Sequence, residues 1–143
     1  LALKKLYPEA VLSGYEINKV AAAEARSIGV ADIHTVSILE KLSHEEVDLT
    51  FTACVLIHIH PDYLSRVYEN LVRSTRRYVL IAEYYNPMPV ALDYRGHSDK
   101  LFKRDFAGEL IDQYGLKLVD YGFFYKRDRL AASHDNTWFL LEK

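Results

Sequence analysis

Two apolar runs flank an amphipathic stretch in the middle of the chain, and this arrangement constrains the fold more than any other feature. Val47 to Val55 is an almost continuous apolar run with Thr50 and Thr52 in it, and Tyr78 to Tyr85 is a second. Such runs are typical of parallel strands buried on both faces. Between them, Leu64, Val67, Tyr68, Leu71 and Val72 recur at spacings of 3, 4, 7 and 8, which is one face of a helix. Pro61 suits the first position of that helix.

The alternation extends in both directions. Leu1 to Tyr7 reads as the end of a helix closed by Pro8. Ala10 to Ile17 reads as a strand, and Asn18 as the N-cap of a helix that carries Ala21, Ala25 and Ile28 on one face and ends at Gly29. Ile33 to Ile38 is a short strand, and Glu40 to Glu46 a turn or short helix. Phe106, Leu110, Ile111 and Tyr114 mark a helix stopped by Gly115. Leu116 to Tyr125 and Thr137 to Leu141 are strands joined by a largely polar and charged segment, Lys126 to Asn136, with no helix between them, so they are expected to form an antiparallel hairpin. Asn86 to Lys103 contains Pro87, Pro89 and Gly96 and has no strong period. It reads as a loop, long enough to favour a functional role. Helix and strand patterns alternating in this way predict one α/β domain with a mostly parallel sheet.

Composition narrows the function. The chain has 143 residues, is 50% hydrophobic and 27% charged, and carries a formal charge of −2. That excludes disorder, a collagen-like repeat or a disulfide scaffold. No overall basic field exists to hold nucleic acid. No apolar stretch reaches the 18 residues of a membrane span. The lone cysteine, Cys54, fits a reducing cytoplasm.

In such sheets ligands bind beyond the carboxyl ends of the strands. There stand Glu16 and Ile17, Ser37 and Ile38, then Ala53, Cys54 and Val55 followed by His58 and His60, and finally Glu83, Tyr84, Tyr85 and Asn86. A carboxylate at the position of Glu16 can accept hydrogen bonds from two ribose hydroxyls, or can serve as a helix N-terminal charge. His58 and His60 form an HxH pair with no third ligand at a recognised spacing, so no metal is expected. No GxGxxG, P-loop, CxxC or HExxH motif occurs.

The run Gly14 to Asn18, the triplet Val36 to Ile38 and the stretch Asp48 to Pro61 resemble class I S-adenosylmethionine-dependent methyltransferases. The stretches "RYVLIAEYYNPMPV", "YRGHSDKLFKRDFAGE" and "LVDYGFFYKRD…TWFLLEK" more specifically resemble the small methyltransferases associated with pseudaminic acid biosynthesis. The resemblance spans essentially the whole chain. It implies a Rossmann-like sheet, mostly parallel with a C-terminal antiparallel hairpin. In the family a first strand and a glycine-rich loop precede the first helix found here. Their absence leads to the expectation that residues 1–143 alone are inactive, with an open slot between the strands at 10–17 and 47–55.

The resemblance further implies S-adenosylmethionine as cofactor, held by Glu16, Ile17, Ser37, Ile38, Ala53, Cys54 and Val55. Methyl transfer to a hydroxyl or amine also needs a proton acceptor, and His58, Glu83 and Tyr84 are the candidates. Tyr85, Asn86, Tyr94, Arg95, His97 and Lys100 are the expected acceptor contacts, with residues 86–103 as a lid. Their positive groups suit an anionic sugar or nucleotide sugar. A homo-oligomer is a further expected partner state. Two other readings stay open: a non-catalytic binding or scaffold protein on the same fold, and a nicotinamide-dependent oxidoreductase, whose ribose Glu16 would serve equally well.

Overall fold

The structure, a computed structural model, describes residues 2–40, 47–129 and 134–143. It divides into two units, residues 1–42 and 43–143.

In the first unit a short helix α1 (Ala2–Leu6) precedes strand β1 (Ser13–Tyr15), helix α2 (Lys19–Ser27) and strand β2 (Asp32–His34). The Asn18 side chain accepts from the amides of Val20 and Ala21, as its place before an alanine-rich run suggests. β1 and β2 pair in parallel. Arg26 ties α2 to β2, donating from Nε to the Ile33 carbonyl at 2.7 Å. The strand expected at 33–38 stops at His34, because Ser37 turns the chain: its carbonyl accepts from the Glu40 amide and its hydroxyl from the Leu39 amide. Of the turn or short helix expected at 40–46, residues 41–46 lie outside the described residues.

The second unit comprises β3 (Val47–Ala53), a 3₁₀ turn (Leu56–His58), α3 (Pro61–Ser74), β4 (Thr75–Glu83), β5 (Val90–Tyr94), β6 (His97–Lys103), α4 (Phe106–Tyr114), β7 (Lys117–Phe124) and β8 (Asn136–Glu142). Its main sheet has the order β3-β4-β8-β7. β3 and β4 are parallel, whereas β8 pairs antiparallel with β4 on one side and β7 on the other. The terminal hairpin is therefore as expected, but this sheet is mixed rather than mostly parallel. Leu64, Val67, Tyr68, Leu71 and Val72 of α3 are all buried, with Val79 and Ile81 of β4 and Leu141 of β8 also in the core. Burial of each such side chain stabilises by roughly 1.5–3 kcal/mol. Gly115 closes α4 in the left-handed conformation, φ 68°.

Two expectations fail in this unit. β3 is not buried on both faces: Leu49 and Phe51 are exposed. β3 is an edge strand among the described residues, and α3 packs near one face only, where Thr50 Oγ1 donates to the Leu71 carbonyl at 3.1 Å. Residues 86–103 are not a loop for most of their length. β5 and β6 form an antiparallel hairpin. Its turn runs through Arg95 and Gly96, both at positive φ, 52° and 83°. Such a pair suits the twist of a two-residue hairpin turn, and glycine adopts it without steric cost.

Candidate functional site

The carboxyl ends of β3 and β4 are locked together by one side chain. Glu83, the last residue of β4, is 2% exposed. One of its oxygens accepts from the Val55 amide at 3.0 Å and the other from the Ile57 amide at 3.3 Å. The Cys54 amide donates to the Ala82 carbonyl at 3.0 Å. These bonds hold Cys54 in the left-handed region, φ 55°, a conformation that costs a non-glycine residue about 1–2 kcal/mol. The chain thus leaves β3 at Ala53 in a sharp bend and enters the 3₁₀ turn. Burial raises the Glu83 carboxyl above its ordinary range, partly offset by the amides that favour its ionised form. Burial, then the Glu83 charge, also raises the Cys54 thiol, which makes it a small packed residue rather than a thiolate.

His58 ends that turn and carries the hairpin. Its Nδ1 lies 2.8 Å from the Lys100 carbonyl, and its ring is 5.4 Å from that of Tyr94. A carbonyl accepts only, so Nδ1 bears the proton and donates. The Nε2 lone pair is then the free basic site of the neutral ring. His60 serves the helix instead. It caps α3, its ring nitrogen 3.4 Å from the Asp62 amide, and packs edge-on against Phe102. No group of three potential metal ligands occurs among the described residues.

The remaining residues expected at the acceptor side are only partly together. Burial raises the Tyr84 hydroxyl, with Cys54 and Tyr94 among its neighbours, and Lys103 Nζ lies 5.2 Å from its ring centre. Tyr85 turns instead to Phe139, ring centres 5.9 Å apart. Asn86 donates to the Met88 carbonyl and shapes the approach to β5. Arg95 lies over the Tyr94 ring, and Lys100 pairs with Asp99 at 3.1 Å. Arg95, His97 and Lys100 are exposed on the hairpin.

In the first unit, Glu16 accepts the Asn18 amide at 2.7 Å, so it does serve the start of α2. A carboxylate offers about four lone-pair positions, which leaves capacity for other donors. Ile17 is exposed, and Ser37 and Ile38 lie in the turn after β2.

Two groups carry weight that the sequence did not signal. Asn136, at the start of β8, donates to the Ala82 carbonyl at 3.1 Å and lies 3.5 Å from Cys54 Sγ, bracing the bend from the opposite side. Arg104 Nε pairs with Glu109, whose other oxygen accepts from Tyr68 at 2.6 Å. This pins the end of β6 to α4 and α3. Neither follows a local pattern: Asn136 holds groups 54 and 82 residues earlier, and Glu109 joins its near neighbour Arg104 to Tyr68, 41 residues earlier.

No family model and no curated protein matches the sequence. Solved structures do. A methyltransferase from Methanosarcina mazei described as SAM-dependent superposes with a TM-score of 0.72 at 10% identity, over 100% of this chain and 86% of that one. A 1,6-didemethyltoxoflavin-N1-methyltransferase from Burkholderia thailandensis, with bound S-adenosylhomocysteine, gives 0.74 at 14% identity over 99% and 65%. The fold is that of the SAM-dependent methyltransferases. A magnesium protoporphyrin IX methyltransferase from Synechocystis PCC 6803 with bound SAM gives 0.68 at 14%, over 94% and 60%, so the chain spans less than two-thirds of the length of the last two proteins. Their different substrates accompany one methyltransferase fold. Within the second unit, the small residues Ala53, exposed, and Cys54, half-buried, stand at the carboxyl end of β3.

Proposed function

We propose that this chain is the catalytic part of a SAM-dependent methyltransferase acting on a small acceptor. The observation that carries the proposal is the bend after β3, clamped by Glu83 at the carboxyl end of the sheet in a methyltransferase fold. In this reading Glu16 and Ile17 bind the cofactor ribose, Ser37 and Ile38 flank its adenine, and Ala53, Cys54 and Val55 present backbone to its reactive end. The cofactor supplies a methyl group on a good leaving group, so the protein contributes alignment and proton removal.

His58 is the proton acceptor, its Nδ1–H held by the Lys100 carbonyl and its Nε2 left basic. Glu83 acts through the bend as a positioning residue, since both of its oxygens are taken by amides. Tyr84 and Tyr94 line the approach to His58, and Tyr85 and Asn86 shape it. Arg95, His97 and Lys100 on the hairpin favour an anionic acceptor, a sugar or nucleotide sugar of the kind used in pseudaminic acid-type surface polysaccharide synthesis. The resemblance of residues 94–109 to that group of enzymes supports the sugar class.

The test is transfer of a labelled methyl group from S-adenosylmethionine by the intact protein to a panel of acidic sugars, nucleotide sugars and neutral analogues. Arg95→Ala is expected to raise the acceptor KM while leaving cofactor affinity unchanged. Equal transfer to neutral analogues would remove the anionic sugar, and no transfer to any acceptor would favour a binding protein on this fold.

A further inference from the structure

Lys103, at the end of β6, differs from the other cations of the hairpin and its flank. Lys100 pairs with Asp99, and Arg104, the next residue, with Glu109. Arg95 and His97 stand exposed at the hairpin turn. Lys103 is half-buried, and among the described residues no carboxylate pairs with its ammonium. A lysine ordinarily buries its stem and keeps the charged head in water. Here Nζ is set 5.2 Å from the centre of the Tyr84 ring, within cation–π range. The ring face attracts the charge but offers no lone pair, so the N–H donors keep their capacity for an oxygen acceptor.

The surroundings supply further donors and little free negative charge. Tyr84 and Tyr94 are half-buried, and neither hydroxyl makes a hydrogen bond among the described residues. The Tyr94 ring lies 5.4 Å from that of His58. The two carboxylates that act on the Tyr84 hydroxyl are already engaged, Glu83 by the amides of Val55 and Ile57 and Asp135 by the amide and ammonium of Lys126. Lys103 also borders a shallow cleft of about 160 Å³, whose walls include Pro61, Pro89, Val90 and Phe102. An apolar cavity of about 150 Å³ is enough for benzene, so this wall suits the uncharged body of a small organic ligand.

We propose that Lys103 is a specificity-determining residue of this site: its ammonium, held on the Tyr84 ring, binds an oxyanion, a carboxylate or phosphate, of the methyl acceptor. That the ligand is a methyl acceptor rests on the methyltransferase reading; that it carries an oxyanion rests on the cation and its ring. A half-buried charge is screened less by salt than exposed ones, so Lys103 separates anionic from neutral ligands more sharply than Arg95, His97 or Lys100.

Acetylation of the lysines of the intact protein, followed residue by residue by mass spectrometry, tests the oxyanion site without methyl transfer. Glucuronate, glucose 1-phosphate and glucose are the probes. At least one of the two anions should protect Lys103 several-fold while glucose does not, with exposed Lys117 unprotected throughout. Which anion protects separates carboxylate from phosphate. Equal protection by glucose, or protection by neither anion, would overturn the proposal. The KM for methyl transfer then tests the role. Lys103→Met, verified as folded by far-UV circular dichroism, should raise KM for acidic acceptors about ten- to hundredfold, the loss expected for a hydrogen bond between charged groups. Its kcat, its affinity for S-adenosylhomocysteine and its KM for neutral acceptors should be unchanged, and the effect should exceed that of Arg95→Ala. Lys103→Arg, which keeps the charge, should stay within about threefold of the parent. An unchanged KM in Lys103→Met, or an equal loss on acidic and neutral acceptors, would also overturn it. A parent protein that neither binds S-adenosylhomocysteine nor transfers a methyl group would refute the methyltransferase reading, and the acetylation result then still decides the oxyanion site.

Discussion

Replacing Glu83 by alanine removes the acceptor of two backbone amides at once. The Val55 and Ile57 N–H groups lose these bonds, and the Glu83 side chain is 2% exposed, so little water reaches them. A buried donor left unsatisfied costs about 1–3 kcal/mol, which gives about 2–6 kcal/mol for the pair. Removal of a buried carboxylate returns part of its desolvation cost, so the lower half of that range, about 2–4 kcal/mol, is expected. Against a typical stability of about 5–15 kcal/mol this is a large loss. In urea, with a slope of about 1–3 kcal/mol per molar, the midpoint should fall by about 1 M or more at unchanged slope.

Glu83→Gln should lose about half as much, because the amide keeps one acceptor oxygen and turns a donor toward the second N–H. The pH dependence has a fixed sign. The folded carboxyl holds its proton more tightly than the unfolded one. Its contribution is therefore fully present below the unfolded value of about 4.3 and is lost as pH rises through the higher folded value. The glutamine variant should lack that decline. A midpoint for Glu83→Ala within about 0.5 kcal/mol of the parent would refute the clamp.

Two more outcomes follow from the hairpin and its flank. His58→Ala deletes the bond to the Lys100 carbonyl and the ring contact with Tyr94, so amides of residues 90–103 should exchange with solvent several-fold faster, consistent with a loss of about 1 kcal/mol. Unchanged exchange would detach the hairpin from the 3₁₀ turn. Gly108→Ala puts a Cβ 2.5 Å from Asp105 Oδ2 and should displace the carboxylate that caps α4, lowering the thermal midpoint by about 1 kcal/mol's worth of stability. An unaltered midpoint would mean that the cap yields without cost.

The helices and the terminal hairpin were legible because their signals are local. The periodicity of α3 and the glycine closing α4 each lie within one element, and β7 and β8 are consecutive strands with no helix pattern between them. The β5–β6 hairpin was not legible, since its turn uses Arg95 where Asn or Asp would announce it, and its strands are mostly exposed, with only Leu101 and Phe102 buried. The burial expected of Val47 to Val55 failed because an apolar run does not reveal how many strands flank it. Glu83 was visible as a polar strand end, but the amides it holds come from 26 and 28 residues earlier, and no spacing rule links them. Much of the stretch from Tyr94 to Glu109 acquires a purpose in three dimensions: a turn at Arg95 and Gly96, a carbonyl at Lys100 for His58, a cap at Asp105 and an ion pair at Arg104 and Glu109.

Titration calorimetry of the intact protein with S-adenosylhomocysteine, and separately with NADH, tests the central claim most directly. Saturable binding of S-adenosylhomocysteine, weakened by about 1–3 kcal/mol in Glu16→Gln and absent for NADH, is the predicted result. Binding of NADH alone would contradict the methyltransferase reading in favour of an oxidoreductase. Binding of neither would leave a fold of this class without its cofactor.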